Sequence, residues 1–252
     1  MKNYIYSLFM VLLATVGMTS CSEDEGTNPG GDSKPNVVVY QFTPEAPYNA
    51  DNDVLLRIAA NNKVEEAYYL AEATADKDTH IASMGEDGYM DYVIKNGTKV
   101  DGLSGASDSD VTVTGMIGAY TITVVAVNGN AKMAAETTFT GLKWESIGIG
   151  IVSSTFFGGD GECEFYKSSP VLKYKAIAPF EDGYDLVLDV AGNNSVTVAQ
   201  QAVYSSYGAY GTLYASGNGA LSGNQIVVNL TYQVSAGSFG SFTEAFILPS
   251  EE

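Results

Sequence analysis

The sequence predicts an all-β protein made of two antiparallel units, and three observations carry the prediction. Runs in which apolar and polar residues alternate recur along the chain, as half-buried strands require. Gly- and Asn-rich turns separate these runs at short spacing. The composition is rich in strand and turn formers, with 17 Tyr, 10 Phe and 27 Gly among 252 residues. Strand-turn-strand order throughout argues against parallel βαβ units. The length fits one large or two ordinary domains, with room for a sizeable core.

Residues 1–20 read as a signal peptide. Lys2 provides a positive start, "YIYSLFMVLLATVGM" an apolar stretch, and small residues lead to Cys21. The apolar run is shorter than the roughly 20 residues of a spanning helix, the alternative reading. "MTSC" resembles the bacterial lipobox, with Met18 where Leu is usual. The resemblance implies cleavage before Cys21 and diacylglyceryl transfer to its thiol. One acyl chain holds a protein weakly, at about 0.8 kcal/mol per buried methylene, and two or three hold it firmly. "CSEDEG" resembles the export signal of Bacteroidota surface lipoproteins, which implies that Ser22, Glu23, Asp24 and Glu25 send the protein to the outer face of the outer membrane. A solvated linker is the alternative for those acids. Residues 21–35 then form a lipidated, acidic, Gly- and Pro-containing tether with no apolar period.

The first β unit is expected over 36–140. "NVVVYQF" and "DVLLRIAA" are its opening strands, and "EEAYYLAEA" a third. In "GAYTITVVAVNGN", Tyr120, Ile122, Val124 and Ala126 share one face; Thr121, Thr123, Val125 and Val127 share the other. Asn128-Gly129 turns the chain into "KMAAETTFTGL". "VTGMIGAYTITVVAV" resembles the penultimate strand of a fibronectin type III domain, which implies an Ig-like or fibronectin III-like sandwich. Tyr120 would then be the tyrosine-corner residue, its ring in the core and its hydroxyl on upstream backbone. Between the third strand and "DVTVTG", Met90, Val93 and Ile94 stand at helical spacing before Asn96-Gly97. A short inserted helix is expected there, or else a strand ending in an Asn-Gly turn.

The second unit is expected over 141–252. "SIGIGIVSSTFF", "ECEFYKS", "VLKYKAIAPF", "YDLVLDVAG", "SVTVAQQAVYS", "YGTLYASG", "NQIVVNLTYQVS" and "SFTEAFILP" follow at short intervals. They suit a second antiparallel sandwich or a small β-barrel. Trp144, Ile147, Gly148 and Gly150, with the later "YKAIAPF" (Tyr174 to Phe180), resemble paired motifs of C-terminal domains in Bacteroidota lipoproteins of unknown role. The resemblance implies a shared fold and no particular chemistry.

The candidates for chemistry are few. The net charge of −18 repels phosphate backbones, so no nucleic-acid partner is expected. The lone histidine, His80, is placed in a polar loop, and neither a zinc-protease helix nor a Gly-x-Ser-x-Gly elbow exists. Cys163, between two glutamates, reads as a buried strand residue rather than a reactive thiolate. "DNDV" (Asp51, Asp53) and "SDSD" (Asp108, Asp110) offer oxygen ligands to calcium, but turn chemistry explains them better. "GNGALSG" (Gly217 to Gly223) resembles a phosphate loop, yet it precedes a strand and reads as a hairpin turn. No catalytic residue, metal site or cofactor is expected.

"VYSSYGAYGTLY" places Tyr204, Tyr207, Tyr210 and Tyr214 close together. Flat rings with hydroxyls suit a sugar or a protein patch. Cross-strand packing is the alternative, with Tyr210 and Tyr214 on one strand face. The expected function is therefore non-enzymatic: a cell-surface lipoprotein for adhesion or ligand binding, held to the membrane through Cys21. Its partner would be a glycan or a surface protein. Two alternatives stand beside it: a glycan-binding accessory of polysaccharide uptake, and a glycosidase using two opposed carboxylates.

Overall fold

The structure, a computed structural model, describes residues 33–250. The expected signal peptide, Cys21, the export signal Ser22 to Glu25 and most of the tether lie outside the described residues. The described chain is all-β apart from one long helix and one short 3-10 turn.

Residues 37–141 build the two-sheet sandwich. Strands β1 (Val37–Phe42), β2 (Val54–Ala60) and β5 (Asp108–Val113) form one sheet, in the order β1-β2-β5. Strands β3 (Glu66–Ala73), β4 (Thr98–Lys99), β6 (Gly118–Asn128) and β7 (Ala131–Gly141) form the other, in the order β4-β3-β6-β7. Leu56 and Ile58 of the first sheet pack against Ile122, Val124 and Ala126 of the second. These side chains are fully buried, each worth about 1.5–3 kcal/mol where the residue is large.

Both faces of β6 are buried, which alternation alone does not announce. Helix α1 (Thr74–Asn96) crosses the face carrying Thr121, Thr123 and Val125. Tyr89 and Val93 of the helix pack on Val125. The helix is longer than the short one expected, and it kinks at Gly85, whose φ of 72° is non-helical. Its first half is polar and shows no apolar stripe. Polar contacts hold it instead: Thr74 to Thr121 at 3.0 Å and Lys77 to Glu136 at 2.5 Å. His80 belongs to this helix and not to a loop. Its Nδ1 lies 2.9 Å from Glu72 Oε2, and its ring packs on Tyr92. Glu72 also accepts the Tyr89 hydroxyl at 2.6 Å, and burial pushes that phenol well above its ordinary pKa. Tyr120 departs from the tyrosine-corner expectation: its ring packs on the sandwich core, but among the described residues its hydroxyl makes no hydrogen bond to upstream backbone.

Residues 143–247 form a closed barrel, the second of the two forms expected. Its strands are β8 (Lys143–Ser154), β9 (Gly159–Ser169), β10 (Lys173–Ala176), β11 (Leu186–Val190), β12 (Ser195–Tyr204), β13 (Leu213–Ser222), β14 (Gln225–Val234) and β15 (Gly237–Ile247). Each pairs antiparallel with its neighbours, and β15 closes on β8. Closure leaves no free edge. Ile226, Val228, Leu230 and Tyr232 of β14 point inward and meet Leu186, Leu188, Val196 and Val198 in a filled interior. Where the β11–β12 ladder stops, the Gln201 amide bonds both the N–H and the carbonyl of Val187, at 2.9 and 3.0 Å. Gly217 to Ser222 are strand and not the expected turn, which is confined to 223–224. A side chain at Gly219 would place its β-carbon 2.0 Å from the Val227 carbonyl oxygen, so only glycine allows β14 this close.

Candidate functional site

In an up-and-down barrel alternate turns gather at one end. The turns at 155–158, 177–185, 205–212 and 235–236 share one end, and those at 170–172, 191–194 and 223–224 the other. The first set carries most of the aromatic residues that flank turns, so the topology gathers them into one mouth.

Tyr232, the inward residue of β14, lies at the bottom of this layer and is fully buried. Phe156 stacks on it, with centroids 4.1 Å apart and planes 13° from parallel. Phe157 packs edge-on to Phe156 and stacks on Phe180 at 4.7 Å. Tyr207 meets Phe156 at 5.5 Å, Tyr204 at 6.0 Å and Phe239 at 5.4 Å. Tyr210 caps Phe239 at 5.7 Å. The rings fill the mouth instead of lining a pit. Tyr210 is 55% exposed and Phe239 36% exposed, so the outermost rings form a solvent-facing platform. Offset and edge-on contacts of this kind add roughly 0.5–1.5 kcal/mol each beyond burial, which keeps such a layer rigid.

Polar groups set the turns that carry the rings. Glu244 is fully buried on β15. Its carboxylate accepts the N–H of Thr155 at 2.9 Å and of Phe156 at 3.1 Å, which aims Phe156 at Tyr232. The Tyr232 hydroxyl lies beside Glu244 and Ser154 without a hydrogen bond of ordinary geometry to either. Burial first, and then the Glu244 charge, raise its pKa far above the usual phenol. Glu181 accepts both the N–H and the hydroxyl of Ser205 at the start of the tyrosine loop. Within that loop Tyr207 N–H bonds Gly211 O at 2.8 Å, and Tyr210 N–H bonds Tyr207 O at 3.1 Å.

Of the four tyrosines proposed from sequence, the structure brings three together. Tyr204 closes β12, Tyr207 lies in the loop, and Tyr210 ends the 3-10 turn Gly208–Tyr210. Tyr210 is therefore not on a strand face with Tyr214. Tyr214 points outward from the barrel wall, opposite Ala202 and Gln233, and is 36% exposed. Sequence reasoning missed Phe156, Phe157, Phe180, Phe239 and Phe242. The available signal was "STFFGG" and "GSFGSF", aromatic residues beside turns of the same parity as the tyrosine loop.

The other candidates have structural partners. Cys163 is buried and donates to the Ile177 carbonyl at 3.2 Å. Burial, with Asp185 and Glu164 nearby, raises its pKa to about 11. Asp53 accepts the N–H of Asn49 at 2.7 Å and of Gly115 at 2.9 Å. Asp51 accepts the Trp144 indole N–H at 2.7 Å, and its carbonyl accepts the Leu142 N–H at 2.9 Å. Between them, Asn52 donates to the carbonyls of Met116 and Leu142, at 2.9 and 2.7 Å. This loop thus joins the sandwich to the first barrel strand. Lys175 lies 4.2 Å from the centre of the Trp144 ring, so the two motif segments of the second unit meet at that clasp. Gly150 of the same motif takes no β-carbon, which would lie 2.2 Å from the Ile247 carbonyl oxygen. Among the described residues no group of three or more His, Cys, Asp or Glu is arranged to hold a metal ion. No helix among them is long and apolar enough to cross a membrane.

The clasp also orients the molecule. The described chain begins beside Val37, which pairs with Ala60 at the sandwich end remote from the Asp51 loop. The barrel meets that loop at the start of β8, so the aromatic mouth lies at the barrel end away from the sandwich. No family model, no curated protein and no solved structure matches this chain.

Proposed function

We propose that this is a non-catalytic, lipid-anchored binding protein whose aromatic barrel mouth contacts the ligand. The observation that carries the reading is the exposed Tyr210–Phe239 platform, seated on Tyr207 at the barrel end away from the sandwich. An anchor on Cys21 and a tether over 21–35 would hold the sandwich as a spacer and turn the mouth outward. Export by Ser22, Glu23, Asp24 and Glu25 would place it on the cell surface. The partner is a glycan or a surface protein, since aromatic faces with hydroxyl edges suit either.

The test uses the full-length protein in detergent micelles on glycan and surface-protein arrays. Saturable binding that is lost in Tyr210→Ala/Phe239→Ala and kept in Tyr214→Ala supports the reading. Binding that survives the loss of both platform rings refutes it. Metabolic labelling with a palmitate analogue, lost in Cys21→Ala, tests the anchor separately.

A further inference from the structure

The two outer faces of the sandwich are treated differently. Helix α1 covers one, and among the described residues nothing covers the other, although it carries large apolar side chains. The register of β1, β2 and β5 arranges that open face as a grid. Val38, Tyr40 and Phe42 form one column, at 48, 51 and 48% exposure. Ala59, Arg57 and Leu55 stand beside them in order, and Asp108, Asp110 and Thr112 beside those. Successive members of a column are about 6.7 Å apart, two residues of extended strand. At the Phe42 end, Pro44 and Tyr48 raise a wall around a groove of about 450 Å³ that includes Leu55, Arg57 and Thr112. That volume falls within the usual range for small-ligand sites, about 300–1,000 Å³.

Arg57 stands against two carboxylates on this face, Asp108 and Asp110, so the grid carries a net negative charge. Arg57 makes two 2.8 Å hydrogen bonds to Asp110, and its Nε lies 3.7 Å from Asp108. The guanidinium also lies 5.8 Å from the Phe42 ring centre. The hydrogen bond from Arg57 holds the Asp110 carboxyl below its ordinary range. The face therefore offers no net positive charge to an anion, and the chain's −18 repels one. Strand addition is also disfavoured. The β1 edge is bridged to β7 by Gln41, which donates to Thr138 O at 2.7 Å, and the β5 edge bears Asp108 and Asp110.

We infer that this sheet face is a second binding site, for an uncharged oligosaccharide chain lying along β1. A pyranose has an apolar face for Tyr40 and Phe42 and a rim of hydroxyls that both donate and accept. Arg57 in the adjoining column and Asp110 and Thr112 in the next supply both functions, with the Arg57 charge already met by Asp110. The inference rests on residues apart from the barrel mouth and stands or falls independently of it.

The experiment is affinity electrophoresis of the full-length protein in detergent, through gels containing a β-glucan, an α-glucan, a galactomannan or, as an acidic control, polygalacturonate. Retardation by at least one neutral polymer is expected, weakened about tenfold or more in Tyr40→Ala/Phe42→Ala, the scale of two lost ring contacts. Tyr210→Ala/Phe239→Ala, at the mouth, should leave this retardation in place. Both substituted rings are exposed, and an unchanged circular dichroism melt confirms the fold. No retardation by any neutral polymer, retardation by polygalacturonate alone, or retardation unchanged in Tyr40→Ala/Phe42→Ala overturns the inference.

Discussion

Trp144 is the only tryptophan in the chain, so its fluorescence reports on the junction between the two units and nowhere else. Replacing Asp51 by Ala removes the carboxylate that accepts the indole N–H at 2.7 Å. A hydrogen bond to a charged acceptor contributes about 1.5–3 kcal/mol, and partial solvent access to both groups brings this toward about 1–2 kcal/mol. The Lys175 ammonium, 3.9 Å from the same carboxylate, adds little. The bonds from Leu142 to the Asp51 carbonyl and from Asn52 to Met116 and Leu142 survive the substitution, so the junction loosens without separating. The expected result is a red-shifted emission maximum and faster acrylamide quenching at an unchanged circular dichroism spectrum. In urea, a fluorescence transition should move to lower concentration by the equivalent of about 1–2 kcal/mol. Trp144→Phe loses the same bond, so a double-mutant cycle read by circular dichroism should show coupling of that size. Identical emission and quenching in Asp51→Ala, or strictly additive single effects, would refute the clasp.

Two further outcomes follow from buried groups. Glu244→Ala deprives the Thr155 and Phe156 N–H groups of their acceptor, so the β8–β9 turn should exchange its amides faster and the barrel should lose about 1–3 kcal/mol; unchanged exchange at those two amides would show that Glu244 does not set the turn. Cys163, with its pKa raised to about 11 from an ordinary value near 9, should resist alkylation at pH 8 until the chain unfolds. The folded state holds this proton more tightly, so stability is intact below pH 9 and falls by roughly 2–3 kcal/mol as the pH rises through 11. Cys163→Ala should lack that fraction of the alkaline slope, and matching slopes in denaturant titrations would refute the shift.

Local patterning made much of the architecture legible. "DVLLRIAA", "LVLDV" and "QIVVNLTYQV" alternate because each presents one side to a core, and Asn128-Gly129 must turn because it separates two such runs. Hence the all-β class, the division into two units and the buried place of Cys163 were readable residue by residue. Helix α1 was legible only in its second half, where Met90, Val93 and Ile94 give an apolar side. Its first half is held by Thr74, Lys77 and His80 reaching side chains on β3, β6 and β7, and such polar contacts leave no periodic trace.

The remaining features depend on residues distant in the chain. A strand alternates in the same way in a sandwich and in a barrel. Only the pairing of Ile247 with Ile151 and of Glu244 with Ser154, across most of the second unit, closes the sheet. Closure in turn fixes which turns share an end, and so joins Phe156, Phe180, Tyr207 and Phe239 into one layer while leaving Tyr214 on the outer wall. The roles of Asp51 and Asp110 are likewise tertiary: one meets an indole and the other a guanidinium, each supplied by a strand far from it in sequence. Alternation and turn chemistry act between neighbours and can be read along the chain, whereas closure and side-chain partnering exist only once distant strands have met.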